Sequence, residues 1–242
     1  MNTVRVHYEV GQTALAIVCD PAYLDTVRGA VHSARSILES KISEDPFFGT
    51  TFEPYLPSKD DDHLIQRMCQ ASALADVGPM AGVAAAVSVY VTEEAVSEGC
   101  RHIIVENGGD IAMHTTEPST IGVFSGDEKF KDIAFLIPPT DGIYGICSSS
   151  GRIGPSISLG NSGICTVFSK DPILADCCAT AFGNMVVEGD RDEMTAASEH
   201  ISSIEGVDGC VCVCNGLISI CGTVPEMVRA DNDTSLITSI RY

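Results

Sequence analysis

Val4, Val6, Tyr8 and Val10 alternate with polar residues, and a second apolar run from Ala14 to Cys19 follows Gly11-Gln12. Period-two patterning on both sides of a glycine turn predicts an opening β-hairpin. Asp20-Pro21 then supplies an N-cap and a first-turn proline for a helix whose core face carries Leu24, Val27, Val31, Ala34 and Leu38. The stretch 43–63 combines prolines, glycines, the adjacent Phe47-Phe48 and the run Asp60-Asp61-Asp62, and is expected to be a surface excursion ending in a helix cap. Helix is predicted for about 63–75 and, after the break at Asp76-Val77-Gly78-Pro79, for about 80–98 with Gly99 closing it. His102–Glu106 and Asp110–His114 read as strands around Asn107-Gly108-Gly109. Further strands are expected near 120–125, 132–137 and 143–148, then a Ser/Gly-rich loop over 148–163. A strand at 164–169 leads through Asp171-Pro172 into a helix to about 187, a second helix covers about 191–204, and 210–214 with 217–221 form a last hairpin.

This order repeats. A strand running into Asp-Pro and a helix occurs at Ile17–Pro21 and at Val167–Pro172, and each is followed by further helix and a strand, Asn-Gly, strand unit at 107 and 215. The expected architecture is α+β, one duplicated domain over 1–242 built of two related lobes, about 1–125 and 126–242, with the insertion at about 43–63 in the first.

Composition narrows the classes of partner. With 14 Lys+Arg against 33 Asp+Glu, a formal charge of -19 and 45% hydrophobic residues, the chain suits a folded core. It lacks the basic clusters by which a protein holds nucleic acid or anionic lipid, so neither is an expected partner. No run of about 20 uncharged apolar residues suggests a membrane span, although 81–91 is apolar enough for a buried helix. Met1–Tyr8 has neither the basic nor the apolar region of a signal peptide, and a cytoplasmic location is expected. The 11 scattered cysteines accordingly read as reduced thiols.

Candidate chemistry falls in a few places. In Asp176-Cys177-Cys178-Ala179-Thr180, positions 176 and 180 lie one helical turn apart, a carboxylate and a hydroxyl on one face that suit Mg²⁺. The neighbours are apolar, so a buried Asp176 needs a partner. The loop Ser148–Ser156 offers hydroxyls, glycine-exposed amides and the guanidinium of Arg152, which together suit a phosphate. Asn107-Gly108-Gly109-Asp110 is a hairpin turn whose glycines also permit close approach of a ligand. Cys210, Cys212 and Cys214 share one strand face with Cα atoms about 6.5 to 7 Å apart, which reads as buried small hydrophobes or as a sulfur-handling site.

Asp76-Val77-Gly78-Pro79-Met80-Ala81-Gly82, Asn107-Gly108-Gly109-Asp110-Ile111, Ser149-Ser150-Gly151 and Asp176-Cys177-Cys178-Ala179-Thr180 occur in the order and approximate spacing of the ApbE flavin transferases. The chain resembles a shorter branch of that superfamily, found largely in archaea and anaerobic bacteria. The resemblance implies an ApbE-like duplicated α+β fold with the ligand between lobes. It also implies Mg²⁺ held by Asp176, Thr180 and a backbone carbonyl near Pro79. A FAD- or FMN-type ligand would be lined by Asn107, Gly108, Gly109, Asp110, Ser149, Ser150, Gly151 and Arg152. Two departures are visible: the family's lysine falls at Gly82, and its His-x-x-Asp-Pro segment is replaced by Gly154–Gly160. The expected function is therefore Mg²⁺-assisted binding of a small phosphate-bearing ligand, with diphosphate cleavage or phosphoryl transfer as the class of reaction and activity itself left open. Two alternatives stand beside it: a thiol-based sulfur or redox role, and a non-catalytic assembly subunit that forms an apolar oligomer interface, such as a homo-oligomer.

Overall fold

The computed structural model describes residues 3–151 and 163–230. The opening hairpin is β1 (Val4–Val10) and β2 (Thr13–Cys19), and a short 3-10 turn capped by Asp20 leads into α1 (Leu24–Glu44). The excursion then runs to α2 (His63–Leu74), where Asp62 caps the helix by accepting from the Leu64 amide at 2.8 Å. A 3-10 turn at Pro79–Gly82 leads into α3 (Val83–Ser97), followed by β3 (Ile103–Asn107) and β4 (Asp110–His114). Next come β5 (Ser119–Gly122), β6 (Ile133–Ile137) and β7 (Tyr144–Ser149). The chain continues through β8 (Ile164–Ser169), α4 (Pro172–Met185), α5 (Arg191–Ser202), β9 (Val207–Cys214), β10 (Leu217–Gly222) and β11 (Glu226–Arg229).

Eight strands form one antiparallel sheet in the order β1, β2, β3, β4, β7, β8, β9, β10. Strand alternation gives it two apolar faces. One face, with Leu15, Ile17, Val105, Cys147, Cys165 and Cys212, packs on the helices. The other, with Met113, Ile146, Phe168 and Val211, is covered by a three-stranded sheet of β11, β6 and β5. Phe135 of that small sheet meets Phe168 edge to face, with centroids 4.8 Å apart. The strand β11 and the joining of β5 and β6 into a separate layer are additions to the sequence reading. Edge strands this short carry too little pattern to register.

The strands of the first half occupy one side of the large sheet and those of the second half the other, an arrangement compatible with the expected duplication. The two halves share one continuous sheet and one helix layer. Asn107 and Asn215, each just before a glycine turn, also do similar work. Asn107 Nδ2 donates to the Ala84 carbonyl at 3.1 Å and Asn215 Nδ2 to the Glu188 carbonyl at 3.0 Å, each near the start of a helix.

The excursion departs from its description as surface. Phe48 is fully buried, and Lys41 of α1 donates to both carboxylate oxygens of Asp61 at 2.8 and 2.9 Å. Both side chains of that pair are about nine-tenths buried, at 9% and 10% exposure. Lys41 therefore joins the core face predicted for α1, on which Val27, Val31, Ala34 and Leu38 are buried as expected.

The cysteines form a belt in the helix-facing core. Cys147, Cys165, Cys210, Cys212 and Cys214 of the sheet share this core with Cys177 and Cys178 of α4, and Cys165 and Cys212 lie 3.5 Å apart, sulfur to sulfur, as thiols. Burial, with smaller additions from Asp171 at Cys178 and from neighbouring cysteines at Cys210, pushes these two thiols up to about 12, so both stay protonated at neutral pH. Among the described residues no single helix is long and apolar enough to cross a membrane, and α3 is instead a core helix against β3, β4, α1 and α4.

Candidate functional site at one end of the large sheet

The registers Leu15 opposite Asn107, Asn107 opposite Asp110, Ser149 opposite Cys165, and Ile164 opposite Val213 bring the β3–β4 turn, the end of β7 and the start of β8 to the same end of the sheet. The start of α3 meets this end through the Asn107–Ala84 hydrogen bond, and Asp176 of the 176–180 segment reaches it through the Ala85 amide. In the β3–β4 turn Gly108 and Gly109 have φ of +67° and +108°, the left-handed values a two-residue hairpin requires. A Cβ at Gly108 would meet nothing within 4 Å, so this turn faces open space.

Asp110, the first residue of β4, is buried, and its Oδ1 accepts from the Ser148 amide at 3.2 Å. Burial pushes its carboxyl up to about 7; the Ser148 amide and the Cys147 thiol pull against this, and the charge of Glu106 adds to it. Asp176 is buried on α4, and the partner it needs is the start of α3: its Oδ2 accepts from the Ala85 amide at 3.0 Å. Since Gly82 offers α3 no side-chain cap, a carboxylate from another helix takes that place at the positive end of the helix dipole. Burial, and then the charge of Asp110, still hold Asp176 well above the ordinary carboxylate range despite the amides of Ala85 and Ala84. Thr180 follows one turn later, half-buried, and Pro79 is buried at the start of the 3-10 turn that feeds α3.

Asp110 and Asp176 thus form a pair of buried carboxylates, and among the described residues neither has a cationic partner. The sequence reading assigned the two to different roles, nucleotide lining and metal ligation. The signal available was that Asp110 opens an otherwise apolar strand, Ile111-Ala112-Met113. The oxygens of Asp110, Asp176, Thr180 and the Pro79 carbonyl are of the hard type that Mg²⁺ accepts, and a cation beside the two aspartates would offset their desolvation. Among the described residues no group of three or more His, Cys, Asp or Glu side chains is arranged to hold a metal, so such a site depends on hydroxyl, carbonyl and ligand oxygens to complete it.

The remaining expected residues divide. Ser149 and Ser150 are buried, and the Ser150 hydroxyl donates to the Gly163 carbonyl at 2.6 Å, so it ties the base of the loop together. Gly151 is half-buried beside it, while Arg152 and the segment Gly154–Gly160 lie outside the described residues. At Gly82 a Cβ would come within 2.8 Å of both Cys177 Sγ and Ile173 Cγ2, so α3 and α4 approach through the missing side chain. A cavity of about 190 Å³, lined in part by Ser125, Asp127, Gly163 and Asn215, lies at the same sheet end and includes neither aspartate.

Comparison with known proteins agrees with this fold. The family model described as AbpE bacteria matches residues 1–203. A UPF0280 protein of Methanocella arvoryzae is 37% identical over 231 residues, covering 96% of this chain and 94% of that protein. A second, of Methanothrix thermoacetophila, is 38% identical over 237 residues, covering 97% and 99%. Among solved structures, the flavin transferase ApbE of Vibrio cholerae superposes with a TM-score of 0.59 at 12% identity, over 90% of this chain and 96% of that one. The apo flavinyl transferase ApbE of Pseudomonas stutzeri gives 0.56 at 11%, over 92% and 95%. At these identities the structures show a shared fold. The chain belongs to the AbpE bacteria family, an ApbE-like branch that includes the archaeal UPF0280 proteins.

Proposed function

We propose that the protein binds a phosphate-bearing, flavin-type nucleotide together with Mg²⁺ at the end of the large sheet, and that its chemistry is diphosphate cleavage or phosphoryl transfer. The observation that carries this reading is the pair of buried carboxylates, Asp110 and Asp176, set beside an open glycine turn without a cation of their own. In a chain of charge -19 an anionic ligand needs local positive charge, and a bound divalent ion supplies it by neutralising phosphate oxygens. Asp176, fixed by the α3 amides, and Asp110, fixed by the Ser148 amide, would hold the metal together with Thr180 and the Pro79 carbonyl, and the metal would neutralise phosphate charge. Gly108 and Gly109 would let a phosphate or ring approach the backbone, and Arg152 is assigned to the phosphates. In the reaction a water or hydroxyl oxygen bonds to one phosphorus and gives up its proton to solvent, the bridging P–O bond breaks, and the departing phosphate takes the electron pair.

The fold neighbours are named flavin transferases, which makes flavin nucleotides the first ligands to test. Transfer of flavin to a protein is left out of the assignment, because position 82 has no room for the family's lysine. Equilibrium dialysis with FAD, FMN and ATP, with and without Mg²⁺, decides the matter. The expected result is Mg²⁺-dependent binding of at least one of them that falls by about tenfold or more in Asp176→Ala, the loss of one charged metal contact. Binding that ignores both Mg²⁺ and the substitution would overturn the proposal.

A further inference from the structure

The excursion between α1 and α2 is built more firmly than a connector needs. Phe48 is fully buried and meets the Tyr55 ring edge to face at 5.4 Å, and the Lys41 ammonium lies 5.1 Å from the Tyr55 centroid while it is paired with Asp61. The Asp61 carboxylate also accepts from the Ser58 amide, and its carbonyl accepts from Gln66 Nε2 at 2.7 Å. At the far side the Thr51 carbonyl lies against Gly78, where an added Cβ would collide with it. Gly78 has φ of -71°, so glycine serves close approach there and not a special backbone conformation.

This fixed frame presents large apolar side chains to solvent. Phe47 is 63% exposed, Phe52 75% and Leu56 91%. Phe47 and Leu56 flank Tyr55, and Phe52 lies next to Gly78, one residue from Pro79 of the candidate site. Isolated exposed leucines are ordinary, but three large exposed apolar side chains within ten positions of one well-tied excursion gain by being covered. In the same stretch of chain Glu44, Glu53, Asp60 and Asp62 are exposed, against the single exposed Lys59.

We propose that this excursion is a docking surface for a segment of another protein that carries both basic and apolar side chains. The charge decides among occupants. A second copy of this chain would bring another -19 and the same acidic stretch, and an anionic lipid surface is repelled in the same way. A basic, apolar segment pairs with the carboxylates of this stretch and buries Phe47, Phe52 and Leu56, combining the polar and apolar contacts of an interface. The inference stands apart from the metal site, since none of these residues is proposed to touch Mg²⁺ or phosphate.

The test uses the full chain and three labelled synthetic peptides of equal length, made of Lys and Leu, of Lys and Ser, and of Glu and Leu, followed by fluorescence anisotropy. The Lys/Leu peptide is expected to bind about tenfold more tightly than the Lys/Ser peptide. That preference should vanish in the triple variant Phe47→Ser, Phe52→Ser, Leu56→Ser, whose net charge is unchanged. Because the three side chains are exposed, the variant should keep the thermal midpoint of the parent, and Phe52→Ser alone serves if it does not. Equal binding of the two Lys peptides, or a preference that survives the substitutions, overturns the proposal. So does a dimer in sedimentation that the triple variant abolishes, which would make the occupant a second copy.

Discussion

Asp110 and Asp176 are held in place by backbone amides and made costly by burial, to which the charge of Asp110 adds at Asp176. A carboxyl whose folded value is raised from 3.8 to about 7 retains a proton that the unfolded chain has already lost in that interval. Its contribution to stability is therefore full below about pH 4, declines as pH rises, and reaches a constant deficit above about pH 7. Asparagine keeps the acceptor for the Ser148 amide without the charge. In the absence of divalent ions, Asp110→Asn should therefore gain on the parent between pH 4 and pH 7 by on the order of a few kcal/mol. Urea unfolding at several pH values measures this, and a difference that stays flat with pH would refute the buried-carboxylate account. At this scale the sequence was partly legible. Asp176 on an apolar helix announced a need for a partner, but the amide that meets it is 91 positions away in sequence and belongs to an element whose start was not visible as a capping problem.

Among the elements, α1 and the excursion illustrate how tertiary structure reassigns a residue. Spacing placed Val27, Val31, Ala34 and Leu38 on the buried face of α1 correctly, and Lys41 continues that face by one more helical step. A lysine there reads as solvent until the chain returns with Asp61. Removing one member of a buried pair leaves the other desolvated and uncompensated, so Lys41→Met is expected to cost about 3 kcal/mol. Lys41→Met with Asp61→Asn should recover at least half of that, and chemical denaturation of the two variants gives the comparison. If the double variant is no more stable than the single one, the pair does not act as a unit. The strand cysteines show the opposite case, in which alternation in Cys210-Val211-Cys212-Val213-Cys214 was enough to put three sulfurs on one face. Which side of the sheet that face met was decided by α4.

For the whole molecule, the cysteine inventory and the net charge lead to a measurement each way. Ten of the eleven cysteines are buried, and Cys221, on the outer strand β10, is the exception, with the Ser202 hydroxyl donating to its sulfur at 3.0 Å. Labelling of the native protein with an aromatic disulfide reagent should modify Cys221 promptly and the others only on unfolding. Rapid reaction at Cys177, Cys178, Cys210, Cys212 or Cys214 would revive a working-thiol role for the belt. The charge of -19 bears on what the molecule can hold: among the described residues Arg5, Arg28, Arg35, Lys41, Arg67 and Lys131 already pair with carboxylates. With 33 Asp+Glu against 14 Lys+Arg, the balance favours a cation accompanying any anionic ligand and a basic protein partner.

Local rules were sufficient for most of the elements. Period-two runs, Asp-Pro caps and glycine turns depend on neighbours within a few residues, so β1 through β4, α1 through α5 and the last hairpin were readable directly. The charge balance and the reduced state expected of the cysteines were equally plain from composition. What needed the tertiary structure was everything that rests on meetings between distant segments. Two carboxylates 66 positions apart converge on the start of α3, Gly82 gives up its side chain to the approach of α4, and Gly78 admits the excursion. Such meetings are set by how faces pack once formed, and no periodicity along the chain encodes which buried polar group will find which amide.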